Sequence, residues 1–322
     1  MPANLTPQYY AAEEKYKQAK TTAEKIEALQ EMLAVIPKHK GTEKIQANLK
    51  RRLAALREKK QQRKSKSTYN PFVVEKQGAG QVIIIGFPNS GKSALVSTLT
   101  KAKVKVADFP FATTIPETGM MNFEDVQIQL VDTPPLTAGN IPPGLTGTIR
   151  AADLLLIVVD ISSDECLEHV EGIFSLLKEK NLASLSSSQG KDQQPFILLA
   201  NKIDLPKGRE NIQILRELYP KLKIITVSAA TGKNLEVLRQ RVFDALRVIR
   251  VYSKPPGKPP QLEKPFILPK GSTVLDFAAS IHKDFIKKIK SAHVWGSTRF
   301  DGQAVAKSYV LEDKDIVELN IN

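Results

Sequence analysis

The sequence contains a single cysteine and no long apolar run. Cys166 is the one cysteine among 322 residues, so the chain cannot form an internal disulfide. The longest apolar runs, such as LLLIVV at 154–159, are far too short to span a bilayer. The first residues also lack the basic start and apolar stretch of a secretory signal. These absences lead us to expect a cytoplasmic protein that does not enter a membrane.

Negative charge is scarce at the start of the chain. Residues 1–68 contain 16 Lys and Arg against 7 Asp and Glu, whereas residues 69–252 contain 20 against 19. Most of the net charge of +13 therefore lies in the first segment. Clustered Lys and Arg gain affinity by displacing counterions from phosphates, so we expect a polyanionic partner, RNA above all. The alternative is a solvated helical surface without a partner, since charge runs often have no other role.

Hydrophobic spacing predicts helices in this basic segment, residues 1–68. Ile45, Leu49, Leu53 and Leu56 fall on one stripe at helical spacing. The remaining faces of the same stretch carry mostly Lys and Arg. One helix could therefore pack on its neighbours through the stripe and still present a basic surface. We predict a basic helical N-terminal region.

The rest of the chain predicts two further domains. Residues 80–252 alternate short apolar runs with longer amphipathic stretches, a pattern typical of parallel strands covered by helices on both sides. This is the pattern of a doubly wound α/β fold, whose ligands bind beyond the carboxyl ends of the strands. Residues 253–264 are rich in proline and predict a stiff linker. Residues 265–322 predict a small domain of short strands and a helix.

The stretch GFPNSGKS at 86–93 fits the phosphate-binding pattern GxxxxGK[ST], between an apolar strand and a helical segment. Backbone N–H groups at the helix N-terminus would surround the β-phosphate. Lys92 would reach the β- and γ-phosphate oxygens, and the Ser93 hydroxyl would bind magnesium. The predicted nucleotide-binding residues of this loop are Asn89, Ser90, Gly91, Lys92, Ser93 and Ala94.

A second motif, NKID at 201–204, selects guanine. The Asp204 carboxylate can accept two hydrogen bonds, from N1–H and from the exocyclic amine of guanine, and adenine offers no such pair. Asn201 would tie this loop to the phosphate-binding loop, and the Lys202 stem would lie across the base. Ser228 and Ala229, at the end of the next strand, supply small residues and a backbone N–H near the guanine oxygen.

A glycine is missing where a third phosphate is commonly sensed. In IQLVDTPPL at 128–136, Asp132 leaves an apolar strand and is followed three residues later by Pro135 instead of glycine. Proline has no backbone N–H, so it cannot donate the hydrogen bond that glycine would give to the γ-phosphate. The chain is therefore either not a nucleotide switch or one that senses phosphate differently.

Several longer stretches resemble one known group: GFPNSGKSAL, FATTIPETG at 111–119, TIRAADLLLIVVD at 148–160, NKID, and HVWGSTRFDGQAVAKSYVLEDKDIVEL at the C-terminus. Together they resemble the Obg-like GTPases, and within them the developmentally regulated GTP-binding proteins. The C-terminal stretch is similar to a TGS domain, a ubiquitin-like (β-grasp) module. The resemblance implies a P-loop GTPase that acts with ribosomes or in translation.

The resemblance also implies roles for individual residues. Thr113 matches the switch threonine that binds magnesium when GTP is present and orients the attacking water, with Thr114 as the alternative. Asp132 matches the aspartate that holds magnesium through water. Asn89 matches an asparagine that helps some related GTPases hold a potassium ion, although it is equally typical of a turn. Pro135 departs from the glycine of the family.

These observations lead to three functional hypotheses. The first is a slow GTP hydrolase, with Lys92 and Thr113 as catalytic residues and GTP or GDP with magnesium as ligands, that docks on the ribosome through its basic helices. The second is a guanine-nucleotide-binding module with little hydrolysis that serves as a scaffold. The third is an RNA-binding assembly factor whose nucleotide site controls only stability. In each, the TGS domain could take a protein partner.

Overall fold

The computed structural model describes residues 6–19, 22–37, 41–65, 72–100, 115–137, 139–183 and 194–321. The chain divides into two units, residues 1–70 and residues 71–322. The described part of the first unit is helical, and the second contains two sheets. The second unit therefore holds both the predicted nucleotide-binding domain and the predicted C-terminal domain.

Helices α1 (Pro7–Gln18), α2 (Thr22–Val35) and α3 (Glu43–Ser65) form the first unit. Thr6 caps α1, because its hydroxyl accepts a hydrogen bond from the Tyr9 amide at 3.3 Å. α2 packs against both other helices, and Leu29 lies at the centre of the small core. The predicted stripe on α3 faces this core: Leu49 and Leu53 are buried, with Ile45 and Leu56 packed beside them. The helical prediction for this region is confirmed.

A six-stranded sheet opens the second unit, in the order β2-β3-β1-β4-β5-β6. Its strands are β1 (Gln81–Ile85), β2 (Glu117–Phe123), β3 (Val126–Asp132), β4 (Leu154–Asp160), β5 (Phe196–Asn201) and β6 (Ile224–Thr226). β2 runs antiparallel to β3, and the other neighbouring strands are parallel. The carboxyl ends of the five parallel strands consequently meet at one edge of the sheet, where a doubly wound fold binds its ligand.

Helices cover both faces of this sheet: α4 (Lys92–Thr100), α5 (Leu145–Ala151), α6 (Cys166–Glu179), α7 (Gly208–Leu218) and α8 (Leu235–Leu246). All five side chains of β1 are buried, and its four apolar ones alternate between two cores. Ile83 packs in the core that includes Ile173 of α6, while Ile84 packs in the core that includes Leu95 of α4. Burial on both faces explains why the strands read as nearly continuous apolar runs.

A five-stranded sheet, in the order β10-β9-β11-β7-β8, closes the chain. Its elements are β7 (Val248–Ser253), β8 (Gln261–Pro269), α9 (Val274–Ile281), α10 (Phe285–Lys288), β9 (Ile289–Trp295), β10 (Gln303–Val305) and β11 (Asp315–Ile321). Val251, Phe277 and Val294 lie in the core between the sheet and α9. This is a mixed sheet with a helix packed on one face, and it contains the short strands and the helix that the sequence predicted for the C-terminal domain.

The C-terminal sheet begins earlier than the sequence indicated. β7 falls inside the predicted range 80–252, yet it pairs with β8 and β11 and belongs to the C-terminal sheet. The predicted linker, 253–264, contains the turn of the β7–β8 hairpin, in which the Lys258 amide donates to the Pro255 carbonyl at 3.0 Å and Gly257 adopts a φ of 72°. β7 was missed because it directly follows α8, and the prolines that flank the turn have the composition of a linker.

Arg250 of β7 joins the two sheets of the second unit. Its guanidinium donates to Glu124 at 2.6 Å and to Asp125 at 2.8 Å, both in the turn between β2 and β3. It also donates twice to Asp313, which precedes β11, at 3.1 and 2.6 Å. Tyr252 adds a short hydrogen bond to Asp125. The C-terminal sheet is thus fastened to the β2–β3 hairpin by a network of charged groups.

Candidate functional site

The connection from β1 to α4 folds into a tight loop at the carboxyl edge of the sheet. Asn89 and Gly91 adopt positive φ angles of 61° and 89°, which Asn and Gly tolerate best. A Cβ atom at Gly91 would lie 2.3 Å from Nδ2 of Asn201, so only glycine fits there. The loop ends at the N-terminus of the nine-residue helix α4, whose free N–H groups favour an anion. A phosphate group fits this arrangement.

Lys92 lies at the base of the loop and is buried. Its ammonium donates to the carbonyls of Gly86 and Phe87, each at 3.1 Å, so the loop itself holds the charge in place. Burial lowers the pKa of Lys92 to about 8, although the neighbouring Asp132 carboxylate opposes this shift. The structure therefore places a lysine within the loop, beside the helix N-terminus, where the negative charge of a phosphate would pair with its ammonium group.

Ser93 and Asp132 meet directly beside Lys92. The Ser93 hydroxyl donates a hydrogen bond to Oδ2 of Asp132, which is the last residue of β3 and is fully buried. The other carboxylate oxygen of Asp132, Oδ1, is buried and has no hydrogen-bond partner within the described part of the chain. Burial raises the pKa of Asp132, with the Ser93 hydroxyl and the Lys92 charge opposing the rise. An unpaired buried carboxylate oxygen next to a hydroxyl is a set of hard donors that fits magnesium.

The segment before β2 carries the predicted switch threonine. Thr113, with Thr114 as the alternative, lies outside the described residues, so its role in binding magnesium and orienting water stays a prediction. β2 itself begins at Glu117, which is paired with Asp132 of β3. The strand that follows the predicted switch therefore starts beside the predicted metal ligand.

Asn201 connects three loops of the site. Its Nδ2 atom donates to the Ser90 carbonyl at 2.9 Å, and its Oδ1 atom accepts a hydrogen bond from the Ala229 amide at 3.1 Å. Ser228 is buried, and its hydroxyl accepts a hydrogen bond from the Thr231 amide at 3.1 Å, which fixes the turn after β6. One asparagine thus brings the phosphate-binding loop, the end of β5 and the turn after β6 together.

Lys202 and Asp204, the two other residues of the NKID motif with a predicted role, lie at the same edge. Asp204 is exposed to solvent, and Lys202 adopts a positive φ of 67° directly after β5. The Lys202 ammonium contacts Asp160, the last residue of β4, at 2.6 Å. Sequence reasoning did not single out Asp160, and the only available signal was an aspartate at the end of an apolar strand. The charged side chains of two neighbouring strand ends therefore meet here.

The start of the segment after β3 is held against the phosphate-binding loop. Thr133 donates its hydroxyl hydrogen to the Ile84 carbonyl at 2.6 Å, and the Leu136 amide donates to the Gly86 carbonyl at 3.0 Å. Pro135 is buried, and Leu136 is 0% exposed and belongs to the core shared with α6. Residues 133–136 are thus held by packing and by two hydrogen bonds that point into the domain. Sequence reasoning recognised the missing glycine but not the amide of Leu136.

Asn89 is exposed at the tip of the loop, in the left-handed conformation that a turn requires. This geometry agrees with a turn residue and leaves the side chain open to solvent and to an ion.

Among the described residues, none of the helices combines the length and the apolar composition that crossing a membrane demands.

Comparisons with known proteins identify two regions. Residues 81–202 match the family described as 50S ribosome-binding GTPase, and residues 249–320 match the TGS domain. The chain is 30% identical to a GTP-binding protein of Methanocaldococcus jannaschii, and the match covers 92% of each chain.

Two named relatives extend the comparison. The chain is 28% identical to developmentally-regulated G-protein 1 of Arabidopsis thaliana, over 92% of this chain and 90% of the relative. It is 26% identical to ribosome-interacting GTPase 1 of Saccharomyces cerevisiae, over 93% of this chain and 99% of the relative. The similarity therefore extends across the helical region and both sheets, and is not confined to the phosphate-binding motif.

Proposed function

The chain belongs to the developmentally regulated GTP-binding proteins of the Obg-like GTPases, with a C-terminal TGS domain, and from this membership we propose a slow, ribosome-associated GTP hydrolase of the cytoplasm. The observation that carries the proposal is the double hydrogen bond of Asn201 to Ser90 and Ala229. It supports one continuous pocket in which the phosphates lie on the glycine-containing loop and the base lies beside Asp204.

The charges at the site suit phosphoryl transfer from GTP to water. Lys92 would neutralise the phosphate oxygens, and the loop amides would position them. Ser93 would offer its hydroxyl oxygen to magnesium, and Asp132 would hold the ion through water. When bound, magnesium would neutralise negative charge on the phosphates. We propose that Thr113 completes this site and that its backbone carbonyl orients the attacking water.

Slow turnover is expected because no side chain at position 136 can position that water. Leu136 is apolar and buried, where other GTPases use a glutamine in this region. We expect turnover on the order of 10⁻⁴ to 10⁻² per second for the purified protein with magnesium. Lys92→Ala should abolish it. A rate of several per second without any partner would rule out slow hydrolysis.

A second candidate function is a guanine-nucleotide-binding module with little hydrolysis. The observation that favours it is the fixed start of the segment after β3, where Pro135 offers no N–H and the Leu136 amide is already bonded to Gly86. Equilibrium binding of GDP, a non-hydrolysable GTP analogue and ATP, each with magnesium, separates the two candidates. A preference for the GTP analogue supports a switch, equal affinities support the module, and equal binding of ATP contradicts both.

Ribosome association is assigned to the basic helices of the first unit. Lys44, Lys50 and Arg51 of α3 are exposed, and exposed cations near phosphates give affinity that falls with salt. Full-length Lys50→Gln/Arg51→Gln should co-sediment with ribosomes less than the wild type, with the slope of log affinity against log salt reduced by about one to two. Lys221→Gln/Lys223→Gln, which removes the same charge from an exposed stretch of the second unit, is the matched control. Equal losses in both variants would contradict a specific role for the helices.

Two further ligands complete the proposal. We propose that Asn89 helps to hold a potassium ion near the phosphates, and identical turnover in potassium and sodium chloride would exclude this role. The TGS domain is proposed as a site for a protein partner, for which the exposed Phe300 is the clearest contact. Phe300→Ser should then weaken association with that partner while leaving nucleotide binding unchanged.

A further inference from the structure

Asp160 and Lys202 form an ion pair across two neighbouring strand ends. The Lys202 ammonium lies 2.6 Å from Oδ2 of Asp160, and the two side chains are 33% and 18% exposed. Asp160 ends β4, and its register partner Asn201 ends β5. The pair therefore lies at the carboxyl edge of the sheet, one residue from the asparagine that joins the loops of the site. It is partly shielded from water, unlike an ordinary surface pair.

The carboxylate of Asp160 is held from its other side. Oδ1 accepts hydrogen bonds from the Ser162 amide at 2.9 Å and from the Ser162 hydroxyl at 2.6 Å. Burial raises the pKa of Asp160, but the bonds from Lys202 and Ser162 outweigh it and hold the pKa below the usual range. Asn211 of α7 also donates to the Ile161 carbonyl at 2.8 Å, which fastens the backbone after Asp160. The acceptor for Lys202 is thus a fixed, ionised group.

A lysine stem is flexible unless its end is held. The four-carbon stem of Lys202 has many rotamers, and a bound ligand that packs on the stem would have to order it. In this structure both ends are restrained, the backbone by its position directly after β5 and the ammonium by Asp160. Asp204, the residue predicted to read the guanine edge, follows two positions later. The stem is therefore ordered in advance beside the place where the base is proposed to bind.

We propose that Asp160 is a positioning residue for guanine-nucleotide binding, which acts by holding the Lys202 stem in place for contact with the base. The inference rests on the proposed function, since it assigns a role at the same nucleotide site. Asp160 itself does not contact the phosphates in this scheme. Its effect should therefore be the same for GDP and GTP, because both carry the same base.

The first test is Asp160→Asn in the full-length protein. Asparagine keeps an acceptor oxygen for Ser162 but removes the charge that holds Lys202. We expect the dissociation constants of GDP and of a non-hydrolysable GTP analogue to rise together by about tenfold, with their ratio unchanged. In turnover assays KM should rise by a similar factor while kcat stays constant, the signature of a lost contact that is equal in ground and transition states. Asp160→Glu, which restores the charge, should recover part of the affinity.

A neighbouring ion pair supplies the matched control. Asp164 contacts Lys207 at 2.6 Å near the same edge, but its side chain is 78% exposed. Asp164→Asn removes one charge of the same sign from the same loop and should change nucleotide affinity by less than about twofold. Equal losses for Asp160→Asn and Asp164→Asn would attribute the effect to the electrostatic field alone and overturn the proposal.

A double-mutant cycle separates positioning from structural support. If Asp160 acts through Lys202, Asp160→Asn should cause no further loss in a Lys202→Met background. Losses that multiply would mean that Asp160 supports the loop independently and would overturn the inference. Binding of GDP by the single variant Asp160→Asn as tightly as by the wild type would also overturn it. Ser162→Ala, which loosens the carboxylate without touching the ion pair, gives a milder second variant and should weaken binding by about threefold.

If the wild-type protein binds no guanine nucleotide, the proposed function itself fails. Tight wild-type binding with unchanged variants contradicts only the role of Asp160.

Discussion

Replacing Arg250 with methionine should partly detach the C-terminal sheet from the nucleotide-binding domain. The Arg250 side chain is 3% exposed and contacts Glu124, Asp125 and Asp313 at 2.6 to 2.8 Å. Its guanidinium also lies 4.8 Å from the centre of the Phe243 ring, a cation–π contact. Methionine fills much of the same volume but leaves three carboxylates close together, of which Glu124 keeps Lys314 as a partner at 2.8 Å while Asp125 and Asp313 lose their arginine. The loss therefore comes from the unpaired charges and not from a cavity.

The magnitude follows from the burial of the groups that are left behind. Removing one partner of a fully buried ion pair costs about 3–5 kcal/mol. The three carboxylates are partly exposed, between 25% and 46%, so water can recover part of their hydration. We therefore expect a loss near the lower limit, about 3 kcal/mol in the free energy of unfolding of the second unit. For a unit of this size, that corresponds to a drop of roughly 6–12 °C in Tm.

Urea denaturation of the full-length protein measures this loss. The control is Arg241→Met, because Arg241 is 65% exposed and its nearest carboxylate, on Asp244, lies 4.0 Å away. That surface pair should contribute less than about 1 kcal/mol. A loss below about 1 kcal/mol for Arg250→Met would show that the network contributes no more than a surface pair, and would refute the reasoning. A separate, earlier transition for the C-terminal sheet would locate the loss at the junction.

Three further predictions concern single positions. Gly91→Ala should weaken guanine-nucleotide binding by at least about tenfold, because the added Cβ would lie 2.3 Å from the side-chain amide of Asn201. Gly139→Ala is the control and should leave binding intact, because Gly139 has a similar φ of 82° but no neighbour within 4 Å. Equal effects of the two variants in a binding titration would contradict the argument. Pro135→Gly supplies the missing N–H and should raise the ratio of GTP-analogue to GDP affinity by roughly tenfold, and an unchanged ratio in the same titration would mean that this position does not face the γ-phosphate. Burial and the hydrogen bond to Asp125 raise the pKa of Tyr252 to about 12, so the stability that its neutral form confers is complete below the unfolded pKa of about 10 and is lost as the pH rises towards 12. Tyr252→Phe should flatten this alkaline loss in urea titrations, and an identical pH profile for variant and wild type would remove Tyr252 as its cause.

The parts of the structure that the sequence predicts are those with local signals. GFPNSGKS and NKID each lie at the end of an apolar strand, and parallel strands must bring such ends to one edge. The contact between Asn201 and Ser90 could therefore be expected although 111 positions separate the two residues. The α3 stripe was predictable for a similar reason, because helical spacing alone determines which residues share a face.

The parts that the sequence does not predict depend on pairing between distant segments. Arg250 lies 126 positions from Glu124 and 63 from Asp313, and nothing in VIRVYS indicates that its arginine will be buried. The four central residues of β7 are all buried, and its membership of the C-terminal sheet follows only from pairing with β8 and β11. The contact between Asp160 and Lys202 likewise depends on β4 and β5 being neighbours. In each case the strand order, and not local propensity, determines the contact.

The backbone around Pro135 explains how a proline fits where glycine is expected. A glycine there would offer its N–H outward to a third phosphate, and proline has none to offer. The next residue, Leu136, does have an N–H, but it donates inward to the Gly86 carbonyl of the phosphate-binding loop while its side chain fills the core. Thr133 fixes the other end of this short segment through the Ile84 carbonyl. Thr133 is bonded to β1 and Leu136 to the phosphate-binding loop that follows β1. The start of this segment can therefore move only if the phosphate-binding loop moves with it. Any discrimination between GTP and GDP must therefore arise from groups other than an amide at position 135.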